Sequence, residues 1–179
     1  METAIERVLL TEEEIKKRIK EIAYEIKKDF PKGDIILIGV LKGSVMFVAD
    51  LMRALDFNVT MDFMAVSSYG NSSETSGIVR ILKDLDFDIE GKDVIIVEDI
   101  IDTGTTLKYL YEYLKARNPK TLKICCLLDK PERRKVNIEA DYVGFKIPDA
   151  FVVGYGLDYA EKFRNLPYVG ILKEDIYKK

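Results

Sequence analysis

Residues 94–107 read VIIVEDIIDTGTTL: four apolar residues run into Glu98 and Asp99, a third acid follows at Asp102, and Thr103, Gly104, Thr105 and Thr106 come next. Glycine lets a backbone approach closely, the free amides of a helix amino terminus point outward, and threonine hydroxyls add donors. Residues 103–106 can therefore cradle a phosphate. Carboxylates repel that same phosphate. They can hold its Mg²⁺, or accept hydrogen bonds from sugar hydroxyls. A ligand with hydroxyls near the acids and a phosphate near the threonines satisfies both groups. An isolated Asp-Thr-Gly is commonly a helix cap on a solvated edge; the full order of apolar run, three acids and cradle is far more specific.

The chain contains no histidine. That removes Ser-His-Asp and Cys-His catalysis, phosphohistidine chemistry and histidine-based zinc sites. Proton transfer falls to Asp, Glu, Lys, Tyr or Cys. GVLKGS (39–44) lacks the spacing of a Walker A loop, and no Gly-x-Gly-x-x-Gly follows a strand. Twenty-eight basic residues against 31 acidic ones give a net charge of −3, which argues against a nucleic-acid partner held by phosphate neutralisation. Cys125 and Cys126 are adjacent in an apolar run; on a strand they point to opposite faces, so they read as buried reduced thiols. The amino terminus lacks the basic-then-apolar order of a signal peptide and no apolar run reaches membrane length, so a cytoplasmic protein without a membrane partner is expected.

The 179 residues, 47% of them hydrophobic, suffice for one well-cored domain. Thr11 with Glu14 forms a capping-box pattern ahead of an apolar stripe at Ile15, Ile19, Ile22 and Ile26, and the helix stops at Phe30-Pro31. Isoleucine-rich DIILIGV (34–40) reads as a strand covered on both faces, and Val45, Val48, Leu51, Met52 and Leu55 mark the helix after it. NVTMDFMAV (58–66) and IVRILK (78–83) alternate as an antiparallel pair around the small, polar stretch 67–77. VIIV (94–97) is a strand whose helix carries Leu107, Leu110, Tyr111 and Leu114. TLKICCLLD (121–129), DYVGF (141–145), FVVGYG (151–156) and YVGIL (168–172) are further strands. The expected fold is α/β, a mostly parallel twisted sheet flanked by helices, with ligands beyond the carboxyl ends of the strands.

The run VEDIIDTGTTL resembles the binding motif for phosphoribosyl pyrophosphate (PRPP) of the type I phosphoribosyltransferases. LKGS (41–44), SSYG (67–70), LLDK (127–130) and VGFKIPDAFVVGYGLDY (143–159) stand around it in the order found in the hypoxanthine-guanine phosphoribosyltransferases. The resemblance spans nearly the whole chain. It implies a core of about 34–145, a small hood from 1–33 and 146–179, and a mobile antiparallel lid loop at 67–77. It also implies PRPP, a 6-oxopurine base, pyrophosphate and a purine nucleoside monophosphate as ligands, two Mg²⁺ ions, and a homodimer or homotetramer.

Roles follow by position. Asp102 would be the base that takes the N7 proton as N9 attacks C1 of the ribose. Glu98 and Asp99 would bind the ribose hydroxyls directly or through Mg²⁺, and Thr103, Gly104, Thr105 and Thr106 would hold the 5-phosphate. Lys130 would donate to O6 of the purine, Phe151 would stack on the base, and the backbone of Val152 would face its 2-position. Asp158 would ligate a second Mg²⁺ on the pyrophosphate and belong to the purine site. Arg164, with Lys42 and Gly43 on a loop that contains a cis peptide, would meet the pyrophosphate. Ser68 and Tyr69 would close the lid over the reaction centre. Several relatives carry lysine where this chain has Thr105, so the cradle leans more on amides and hydroxyls. Two alternatives stay open: a xanthine-preferring member, and an RNA-binding attenuator on the same fold.

Overall fold

A computed structural model describes residues 2–68 and 79–178. Two sheets organise them. The larger carries β2 (Ile35–Leu41), β3 (Val59–Ser68), β4 (Val79–Lys83), β5 (Asp93–Ile101), β6 (Thr121–Asp129) and β7 (Tyr142–Lys146) in the order β4-β3-β2-β5-β6-β7. Only β4 is antiparallel to its neighbour. The smaller sheet joins β1 (Ile5–Leu10) to β9 (Val169–Leu172) and β9 to β8 (Val152–Val153), all antiparallel.

The central strands are apolar on both faces because both faces are covered. Along β5, Ile95 and Val97 enter one core with Ile35 and Leu37, while Val94 and Ile96 enter the other with Ile36, Ile38 and Val40. Cys125 and Cys126 fall into opposite cores as unpaired thiols, and burial pushes both thiols up. Helices α1 (Glu12–Asp29) and α2 (Val45–Ala54) cover one face, and α3 (Thr105–Lys115) covers the other with Leu107, Leu110 and Leu114.

The capping box forms: the Glu14 amide donates to Thr11 Oγ1 at 3.2 Å and the Thr11 amide donates to Glu14 Oε2 at 2.8 Å. Arg18 ties α1 to β7 by donating to the Gly144 and Val143 carbonyls at 3.0 and 2.7 Å. The segment 1–33 thus divides, β1 going to the small sheet and α1 to the large one. The stripe expected on α2 holds at Val48, Leu51 and Leu55, while Val45 is exposed and Phe47 is fully buried.

Two strand assignments change. β5 runs on through Glu98 and Asp99 to Ile101, with Glu98 in register with Cys126, so these acids lie within the strand rather than beyond it. Strand β8 keeps only Val152–Val153 of the run 151–156, because Gly154, Tyr155 and Gly156 adopt positive φ.

The sheet order fixes where a ligand can sit. From β2 the chain steps outward to β3, then returns across β2 to β5 and continues outward to β6 and β7. The reversal falls between β2 and β5, and a crevice opens beyond their carboxyl ends. The LKGS segment and residues 98–106 both emerge there. No helix among the described residues is long and apolar enough to cross a membrane.

Candidate active site

Two cavities open at that crevice. One, of about 280 Å³, is lined by Glu98, Asp99, Asp102, Thr103, Gly104 and Thr106, with Val40, Leu41 and Val66. The other, of about 520 Å³, is lined by Lys130, Phe151, Val152, Leu157 and Asp158 together with Arg133, Asp149, Glu174 and Tyr177. Asp102 and Ile100 line both.

Strand register explains the meeting. Ile101 pairs with Asp129 in the parallel β5–β6 ladder, and the Lys130 amide donates to the Ile101 carbonyl at 2.9 Å. Lys130 therefore lines the larger cavity together with Asp102. Its residue is only 7% exposed, so it is not a solvated turn lysine, and its Nζ lies 3.8 Å from Asp149 Oδ1. A buried ammonium needs such partners.

The cradle is built at the start of α3. Gly104 caps that helix with φ +81°, and a Cβ there would come within 2.7 Å of Ile138 Cγ2 and 3.0 Å of Arg134 Cδ. Thr103 Oγ1 accepts from the Thr105 amide at 3.4 Å and lies 3.3 Å from Thr105 Oγ1. Thr105 does not line the phosphate-side cavity, whereas Thr103 and Thr106 do. The loop after β6 braces this turn: Arg134 Nη1 donates to the Asp102 carbonyl at 2.8 Å and the Lys135 amide donates to the Thr103 carbonyl at 2.9 Å.

Glu98 is 9% exposed and Asp99 is partly buried beside it. Burial, and then the charge of Asp99, hold the Glu98 carboxyl well above its usual range; burial pushes Asp99 up to about 6. Two adjacent carboxyls deprived of water in this way suit a divalent cation, which restores the charged form. No cluster of three or more His, Cys, Asp or Glu side chains that could hold a metal occurs among the described residues. A cation here would draw its remaining oxygens from substrate and water, as Mg²⁺ does. The residues fit the ion.

This arrangement has a measurable signature. Because the fold raises these carboxyls, the contribution of Asp99 to stability is full below its ordinary value of 3.8 and is lost as pH rises through about 6, and Glu98, held well above its usual range, acts in the same direction. The thermal midpoint should fall across that window. MgCl₂ should raise the midpoint at ~pH 7.5 and have much less effect at ~pH 5, where the carboxyls keep their protons. Fluorimetric melts at the two pH values, with Ca²⁺ and Na⁺ as comparisons, check it; equal shifts at both would contradict the assignment of Glu98 and Asp99 to a cation.

Lys42, Gly43, Asp158 and Arg164 form a third group. The Leu41–Lys42 peptide is cis. Gly43 is wedged against the acids: a Cβ on it would stand 1.7 Å from Asp99 Oδ2, and a Cβ on Gly156 would stand 2.1 Å from the Gly43 carbonyl oxygen. The turn after β8 is thereby seated directly on the loop after β2. Arg164 donates to the Gly156 carbonyl at 2.8 Å and pairs with Asp158 at 3.0 Å.

Phe151 is 37% exposed, unlike a core residue. It stacks on Tyr177 of the short helix α4 (Glu174–Tyr177) with ring centroids 4.7 Å apart and meets Tyr159 edge-on at 5.6 Å. Tyr69 and most of the expected lid, 67–77, lie outside the described residues; Ser68 ends β3.

Several residues of the site carried no sequence signal of their own. Arg133 Nε donates to Asp102 Oδ1 at 2.6 Å, and its Nη1 donates to Asp149 Oδ2 at 3.4 Å. Glu161, Glu174 and Tyr177 likewise arrive from distant segments. Only the parallel β5–β6 register, which sets the loop after β6 next to residues 102–106, could have pointed to Arg133 and Arg134.

Comparison with known proteins agrees with this geometry. Residues 8–160 match the phosphoribosyl transferase domain family. The hypoxanthine-guanine phosphoribosyltransferase of Bacillus subtilis is 55% identical over 178 residues, covering 99% of each chain. A solved structure of a Staphylococcus aureus hypoxanthine phosphoribosyltransferase superposes with a TM-score of 0.97 at 52% identity, covering 100% of this chain and 97% of that one. A structure of the Trypanosoma cruzi hypoxanthine phosphoribosyl transferase, studied for the role of its C-terminal region in oligomeric state and activity, gives 0.93 at 48% identity over 97% and 94%. The chain belongs to the phosphoribosyltransferase family, on its hypoxanthine-guanine branch, and is a transferase of purine salvage.

Proposed function

We propose that the chain transfers the phosphoribosyl group of PRPP to N9 of hypoxanthine or guanine, giving IMP or GMP and pyrophosphate. The observation that carries this reading is the position of Asp102, which lines both the cradle cavity and the Lys130–Phe151 cavity. A sugar spanning the two would present C1 to a base held beside Lys130, with one carboxylate at the junction.

N9 forms its bond to C1 as the C1–oxygen bond to pyrophosphate breaks with inversion, and the N7 proton passes to Asp102. Residues 103–106 hold the 5-phosphate, and the acids of β5 face the ribose, whose ring gains positive charge as the bond breaks. Glu98 and Asp99, and again Asp158, would hold Mg²⁺, which would supply charge neutralisation for the leaving pyrophosphate. Lys42 and Arg164 add cationic partners. A cationic sugar of this kind must be kept from water while the bond breaks. Self-association is part of the reading, supported by exposed Tyr24, Met46, Met61, Leu82, Phe87 and Tyr109 and by the T. cruzi relative, whose oligomeric state has been studied. So is a cytoplasmic location, which suits the free cysteines.

The 6-oxo preference rests on Lys130, an ammonium that has only donors to offer. Lys130→Ala should raise the purine KM by about a hundredfold or more, because a charge-assisted hydrogen bond in a buried pocket is lost, and leave PRPP binding intact. Steady-state kinetics with each substrate varied, and PRPP titration by calorimetry, separate the two. Equal loss of both would make Lys130 structural and remove the basis for the purine assignment.

A further inference from the structure

Glu161 holds an unusual position. Its Oε2 lies 2.8 Å from Lys42 Nζ and its Oε1 lies 3.2 Å from Arg164 Nη2. One carboxylate therefore bridges the two cations that the proposed function assigns to pyrophosphate. The backbone is shaped to put it there. Tyr159 and Lys162 exchange hydrogen bonds at 3.2 and 3.0 Å around a two-residue turn, and both central residues, Ala160 and Glu161, have positive φ (51° and 61°). Such turns prefer Asn-Gly because side chains are strained in that region. Here a glutamate sits in it, with its amide held by Asp158 Oδ2 at 2.9 Å. Strain of this kind persists where a side chain must be aimed.

A carboxylate between two cations imitates the anion those cations are to receive. We infer that Glu161 is a built-in competitor for pyrophosphate: its carboxylate bridges Lys42 and Arg164 in the free chain, is displaced when the pyrophosphate group binds, and returns as the product departs. This inference rests on the assignment of Lys42 and Arg164 to pyrophosphate. The energetic logic is that of a state which must be vacated before the ligand binds, so that apparent affinity falls by the fraction of chains already occupied. A product with several negative charges, held by metal and two cations, would otherwise leave slowly. The competing carboxylate speeds its exit without touching the ribose or the purine.

The test is pyrophosphate binding, by calorimetry in the presence of MgCl₂, for wild type, Glu161→Gln, Lys42→Ala and the Lys42→Ala/Glu161→Gln double variant. Glutamine keeps the length of the side chain but not its charge, and the turn is exposed, so the fold should hold. Removing two exposed ion pairs to the same carboxylate should tighten pyrophosphate binding on the order of fivefold in Glu161→Gln. Its product-inhibition constant should fall in parallel and the purine KM should stay unchanged. The gain should shrink in the Lys42→Ala background, because one of the two released cations is gone. A merely structural Glu161 would not give this non-additivity. Equal or weaker binding in an active Glu161→Gln overturns the inference while leaving the transferase reading intact. A wild type that neither binds pyrophosphate nor turns over PRPP overturns the reading beneath it.

Discussion

Asp102→Asn lowers kcat by about a hundredfold to ten-thousandfold, the range that positioned general bases supply. Asparagine has the shape of aspartate and keeps an oxygen to accept from Arg133 Nε, which lies 2.6 Å from Asp102 Oδ1. The backbone contact to Arg134 is untouched, since it uses the carbonyl oxygen. What disappears is the ability to take a proton. The two substrate KM values should therefore stay within a small factor of wild type while turnover collapses. Single-turnover measurements isolate the chemical step from product release, and they are the proper readout. An unchanged single-turnover rate would mean that the N7 proton leaves by another route and that Asp102 only fastens Arg133.

Gly43→Ala is the second large effect. The added methyl would overlap Asp99 Oδ2 at 1.7 Å, far inside contact distance. The loop cannot retreat from Asp99 without pressing on the turn after β8, because its carbonyl oxygen already faces Gly156. Either Asp99 or the loop must move by about an ångström, and a displacement of that size in a reacting assembly costs on the order of a hundredfold in rate. The purine cavity lies to the other side of Asp102, so guanine or hypoxanthine binding should survive. Turnover and PRPP affinity should fall together, with a melting temperature only a few degrees lower as overpacking is relieved locally. A fully active Gly43→Ala would show that Asp99 is not held against this loop during turnover.

Much of the site was legible because it is local. Residues 98–106 form one continuous stretch, and the requirement for an apolar strand, acids and an anion cradle in that order can be read without knowing the fold. The sheet's central strands were equally plain, since covering on both faces leaves apolar runs that few loops imitate. The reading failed where tertiary register decides. Strand β5 extends through Glu98 and Asp99 because β6 pairs with Glu98, Ile100 and Ile101, and nothing in the residues themselves announces that two acids will be carried inside a ladder. Strand β1 carries no clear apolar alternation, because its middle residues Glu6, Arg7 and Val8 are exposed and it pairs with β9 alone. Lys130 and Phe151 are indicated by resemblance rather than spacing, and Arg133, Asp149, Glu161 and Tyr177 carry no sequence signal. Each of those four meets its partner across a fold-dependent gap.

The acids and the anion of residues 94–107 are reconciled in the same way at every level: a sugar between them would face carboxylates on one side and a cradle on the other. That claim is tested most directly by pyrophosphate release from PRPP and Mg²⁺ with hypoxanthine, guanine, xanthine, adenine and uracil supplied separately. The account predicts rapid release with hypoxanthine and guanine and none above background with adenine or uracil. Release with uracil alone, or with adenine in preference to the 6-oxopurines, would contradict it.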